Sequence, residues 1–247
     1  APSSKPLTDA MPPDPAPTVH QRFLADVVDH QMTVALDVDA IDGRHRRLSF
    51  RQPRNEIASF QIVTWPGHLA TVGDGVVPLT FRVHGTNDPF GLFRQGAVNP
   101  GYWAEKVLND AARRGVHAYD PETAERIVRA RTEEWIAKHL TPALDASQSP
   151  LGRQAWADAI DGLRASVLWY VLDVHVTEEH ALRHALRDFV VRLPGDGDHA
   201  NPFEGAHDWD LTNWHYRYLW TCEAIRWAIT TYDRATGPTA VARTEPR

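Results

Sequence analysis

Ile57-Ala58-Ser59-Phe60-Gln61-Ile62-Val63-Thr64-Trp65-Pro66-Gly67-His68-Leu69-Ala70-Thr71-Val72-Gly73-Asp74-Gly75 is the stretch whose reading decides the fold. Ile57 to Trp65 reads as a strand, with Phe60, Ile62 and Thr64 on one face. Pro66-Gly67 turns the chain, since proline presets φ and glycine accepts the left-handed region. His68 to Gly73 returns as a second strand, and Asp74-Gly75 signals another tight turn. Further on, Leu79, Phe81 and Val83 alternate and extend the meander. Upstream, Met32 to Leu36 and Arg44 to Gln52 read as a hairpin around the acidic turn 37–43, ended by Pro53. Four or five antiparallel strands are therefore predicted within 31–84.

Helices flank this block. Val19, Phe23, Leu24, Val27 and Val28 recur at helical spacing over 19–30. Asp88-Pro89, Asn99-Pro100 and Asp120-Pro121 repeat one device: an acceptor side chain caps free N–H groups and proline suits the first helical position. They predict helices through Phe93, over Tyr102–Arg114, and to about Leu140, the last burying Ala124, Ile127, Val128, Ile136 and Leu140. A loop over Pro142–Pro150 is the one candidate domain boundary. Helices over 151–174 and 177–191, the second capped by Thr177, and an aromatic helix over 213–234 complete the pattern. Strands followed by helices predict an α+β fold, an antiparallel meander covered by C-terminal helices. The proline-rich residues 1–18 read as a disordered tail, 19–235 as one domain and 236–247 as a frayed end.

Composition narrows the function. A net charge of −6 argues against general polyanion binding but allows a local basic patch. The single Cys222 excludes an intramolecular disulfide and a cysteine metal cluster. No apolar run is long enough to span a bilayer, and no basic-then-apolar leader opens the sequence. A cytoplasmic location in the host cell, away from membranes, is the expectation.

Three groups of residues could carry chemistry. His68 beside Trp65, with Asp74 at the end of the next strand, could act as a base and its orienter, or could simply build a hairpin. Asn99-Pro100-Gly101-Tyr102-Trp103-Ala104-Glu105-Lys106 opens a helix whose N–H groups and Lys106 could seat an anion. Arg44, Arg46, Arg47 and Arg51 form the basic cluster, which strand alternation splits over two faces. The candidate catalytic residues are thus His68, Asp74 and Lys106; the candidate binding residues are Thr64, Trp65, Asn99, Tyr102, Trp103 and Glu105. His180 and His184 share a helix face but lack the metalloprotease glutamate, and the acidic loop Asp196–Asp210 lacks the calcium-loop pattern, so no metal is assigned. No cofactor is identifiable.

At these motifs the chain resembles a group of uncharacterised proteins carried by phages and prophages. The matching pieces are Arg46 to Arg51, Ile62 to Leu69, Gly73-Asp74, Phe90 to Arg94, Asn99 to Lys106, and the aromatic end from Tyr218-Leu219-Trp220 to Tyr232-Asp233. Members of the group run Met-Gly and an aromatic where this chain has Gly75-Val76-Val77-Pro78. The resemblance implies a phage-type accessory protein that binds a host or phage component, with counter-defence as its purpose. The rival expectation is a hydrolase or transferase acting on a nucleotide or nucleic acid. A third is direct nucleic-acid binding through the arginines of 44–54.

Overall fold

The computed structural model describes residues 18–37, 44–83, 88–94, 96–195 and 199–237. The predicted tail 1–17, the acidic turn 38–43, Asp196-Gly197-Asp198 and the end 238–247 lie outside the described residues. The elements run α1 (Val19–Asp26), β1 (Gln31–Asp37), β2 (Arg46–Gln52), β3 (Asn55–Trp65), β4 (His68–Val72), β5 (Leu79–Arg82), α2 (Gly91–Arg94), α3 (Pro100–Ala104) and α4 (Asp110–Arg114). They continue with β6 (His117–Tyr119), α5 (Pro121–Trp135), α6 (Thr141–Ala146), α7 (Pro150–Ser166), α8 (Asp173–His175), α9 (Glu179–Asp188), β7 (Val191–Arg192), β8 (His199–Ala200), β9 (Thr212–Trp214) and α10 (Tyr216–Thr236).

The fold is α+β, as predicted. β1 to β5 form one antiparallel sheet in sequential order. Strand alternation gives it an inner face of Leu48, Phe50, Phe60, Ile62, Leu69 and Phe81, all buried. α1 and α10 cover that face. Phe23 of α1 meets Trp220 of α10 edge-on at 4.9 Å, and Trp227 of α10 meets Phe50 at 5.4 Å. The Trp220 indole N–H donates to Asp26 Oδ2 at 2.9 Å, so this buried ring keeps a polar partner.

Where one domain was expected, the chain divides into two compact units. The first is 1–116 with 215–247; the second is 117–214. The boundaries thus differ from the proline-rich stretch at 142–150. That stretch does not break the helical run where expected: Pro142 sits in the first turn of α6. A π-helical turn over Ile136–Leu140 precedes it, and the Thr141 N–H reaches back to the Ile136 carbonyl. The second unit closes on its own β6–β9 ladder. Its core joins Ala124, Val128, Ile136 and Leu140, as the periodicity predicted, to Leu163, Leu182 and Leu186. α9 begins with Glu178 in the cap position and no side-chain cap, rather than at Thr177.

The predicted helix over 102–114 is two short helices joined by a turn and a bridge residue, Val107. The link exists because β5 would otherwise be a bare edge with unpaired backbone groups. Arg82 N–H donates to the Lys106 carbonyl at 2.8 Å, and Leu108 N–H to the Thr80 carbonyl at 2.9 Å. Val107, facing Phe81 across this bridge, is buried and pins the link in place.

Candidate functional site

Among the described residues, the outer face of β2 to β5 is accessible or partly accessible. Its outward positions include Arg47, Ser49 and Arg51 on β2, Gln61, Val63 and Trp65 on β3, His68, Ala70 and Val72 on β4, and Thr80 and Arg82 on β5; none of these is buried. No carboxylate stands among them.

One row across this face joins the two separated strings of the sequence. Trp65 pairs with His68 across the Pro66-Gly67 turn, and His68 pairs with Arg82. Arg82 in turn bonds the Lys106 backbone. Lys106 itself lies in the turn that follows α3, so only its backbone is placed beside Arg82. At strand spacing the row from Trp65 to Lys106 spans about 14 Å.

Local chemistry fixes each member. Gly67 takes φ +73°, the left-handed position that follows proline in a type II turn. The His68 imidazole stacks on the Trp65 indole, with centroids 5.2 Å apart and planes 14° apart. His68 Nδ1 lies 2.9 Å from the Pro66 carbonyl oxygen, which only accepts, so Nδ1 is the donor in this contact. Lys106 Nζ sits 4.4 Å over the Tyr102 ring and 3.9 Å from Glu105. Arg47 donates to Gln61, a neutral partner, at 3.1 Å. The Arg51 and Arg82 guanidinium groups form no hydrogen bond or ion pair with a described residue.

Several sequence candidates stand elsewhere. Asp74 lies past the far end of β4, exposed, while His68 opens that strand; four residues of strand, about 13 Å, separate His68 from Val72 alone. The base and its orienter are therefore not assembled. Thr64 is 2% exposed and its hydroxyl accepts the Arg46 N–H at 3.1 Å, a role inside the sheet. Trp103 is 2% exposed, packed edge-on to Phe93 at 4.9 Å, and belongs to the core. Asn99 caps α3 by accepting the Tyr102 N–H at 3.0 Å, and its carbonyl takes the Trp103 N–H. Those two amides are taken within a five-residue helix, which leaves little of the start to hold an anion. Tyr102 and Glu105 are exposed beside Lys106.

The basic cluster divides by strand parity. Arg47 and Arg51 face outward; Arg46 is 4% exposed and faces inward, which removes it as a phosphate contact. Arg46 instead donates to Asp88 at 2.8 Å and lies over the rings of Phe90 and Tyr232 at 4.4 and 5.2 Å. Arg94 bonds the same Asp88 and grips Asp233 with two bonds of 2.9 and 2.7 Å. Burial pushes the Asp88 carboxyl up, but bonds from the Phe90 N–H, Arg46 and Arg94 outweigh it and hold the carboxyl below the usual range. Arg44 is half-buried just before β2.

In the second unit, His180 and His184 of α9 line a cavity of about 610 Å³ with Glu204 and His207 of the following acidic loop. Among the described residues no three such groups are arranged to hold a metal ion. No helix there is long and apolar enough to cross a membrane.

No match is found among protein-family models, curated proteins or solved structures. The site must be read from its own chemistry. The missed residue is Arg82, and the signal was present: it alternates with Leu79 and Phe81 and so faces outward with His68.

Proposed function

We propose that this chain is a binding protein whose open sheet face receives an anionic partner. One observation carries the reading. In a chain of net charge −6, the described outward side chains of β2 to β5 include Arg47, Arg51 and Arg82 and no carboxylate. Charge separated in this way concentrates positive potential on one surface while the rest of the molecule stays acidic. Among the described residues Arg51 and Arg82 have no ion pair to give up on binding, so their desolvation is offset by the partner. The phage and prophage resemblance makes the partner a host or phage component, with counter-defence as the purpose.

Retention on immobilised heparin tests this. The full chain is expected to bind at about 50 mM salt despite its acidic charge, and the triple variant Arg47→Glu/Arg51→Glu/Arg82→Glu to flow through with its thermal unfolding unchanged. A wild-type chain that flows through at low salt contradicts the reading.

A further inference from the structure

We infer that the anionic partner is a single-stranded nucleic acid, with a base stacked against the Trp65–His68 pair and its phosphates on the flanking arginines. This rests on the proposed anionic face and gives that face a ligand class.

The first ground is the aromatic pair. Trp65 and His68 lie nearly parallel, 14° apart, on the partly accessible face, a geometry that suits stacking of a further planar ring. Stacking of this kind needs an unpaired base, because a duplex keeps its base faces covered. The second ground is where the cations stand. Arg82 is one strand from His68, about 5 Å away by backbone spacing. Arg47 lies on the other side, one strand from β3 and opposite Val63, two residues before Trp65. The aromatic pair therefore has positive charge on both sides, as a strand crossing the sheet requires. The third ground is the remaining surface. Ser49, Gln61 and Thr80 place hydroxyl and amide groups between the charges, able to bond base edges. An anionic lipid surface or an acidic protein would use the arginines and leave the aromatic pair idle.

The test is fluorescence anisotropy on the full chain with labelled oligo-dT and oligo-rU of about 20 nucleotides, a duplex of equal length, heparin as competitor, and phosphatidylserine vesicles in a parallel sedimentation arm. The single strands are expected to bind at least about tenfold tighter than the duplex. Trp65→Leu is expected to weaken single-strand binding about tenfold and leave heparin binding alone, with Trp65→Phe in between. Arg51→Glu/Arg82→Glu weakens every anion. Binding of heparin, duplex and single strand alike, indifferent to Trp65, overturns the nucleic-acid inference and keeps the anionic face. Vesicle binding without oligonucleotide binding overturns it too. Binding to no anion overturns both.

Discussion

The His68 imidazole lies flat against the Trp65 indole across a two-residue turn, 5.2 Å between centroids. Gly67 makes that geometry possible with φ +73°. An added Cβ there would meet only the Val83 carbonyl oxygen, at an ordinary 3.7 Å, so the cost of a side chain is backbone strain alone. Gly67→Ala is expected to lower stability by about 1–2 kcal/mol in a denaturant titration.

Gly73 is held more tightly. Its φ is +135°, and a Cβ would fall 2.5 Å from the Ser59 carbonyl oxygen and 2.7 Å from Phe60 Cα. Those are backbone atoms of the neighbouring strand and cannot swing aside. Gly73→Ala should therefore cost clearly more than Gly67→Ala, roughly 3 kcal/mol or above, by the same titration.

Arg46 and Asp88 join β2 to the segment before α2, and Arg46 has almost no access to water. Removing the carboxylate leaves a buried cation short of a partner. Asp88→Ala is expected to cost about 3 kcal/mol. A double-mutant cycle with Arg46→Ala should return a coupling above about 1 kcal/mol, since the two groups share one network.

The same pair sets an acid limit. The native Asp88 carboxyl titrates below its ordinary value, because the bonds from the Phe90 N–H, Arg46 and Arg94 outweigh burial. The folded state therefore holds that proton more weakly than the unfolded state. The stability this provides is complete above about pH 4 and is lost as pH falls through the native value. Denaturation midpoints measured from pH 6 downward should show a falling limb that is shallower in Asp88→Asn.

Cys222 reports on opening of the first unit. The thiol is wholly buried in α10, and burial pushes it up to about 12 against the opposing Tyr218 hydrogen bond. The native chain is expected to release no thiol signal to a disulfide reagent at pH 8, and one equivalent after denaturation. Rapid native labelling would show that α10 does not seal this residue.

Much of this fold was legible locally. Alternation placed the β2–β5 faces, and the Asn99 and Asp120 caps accept the Tyr102 and Thr123 N–H groups as the Asn-Pro and Asp-Pro pairs predicted. What escaped depends on contacts distant in sequence. Arg46 shares its parity with Leu48 and Phe50, yet its inward place becomes tolerable only through Asp88, Phe90 and Tyr232. The break at Lys106–Leu108 answers the bare edge of β5, some two dozen residues earlier. The separate second unit hangs on a ladder between His117 and Trp214, which no local pattern announces. At the site, Trp65 and His68 stand on the accessible face, whereas Trp103 and Thr64 are buried, because aromatic and hydroxyl side chains serve cores as readily as surfaces.

The salt dependence of oligo-dT binding tests the central claim most directly, measured by anisotropy for the wild type and for Arg51→Glu/Arg82→Glu. Contacts to a few phosphates predict affinity falling linearly with the logarithm of salt in the wild type, and a weaker, flatter line in the variant. Wild-type binding that ignores salt, or a variant that binds as the wild type does, contradicts the open sheet face as the working surface of this protein.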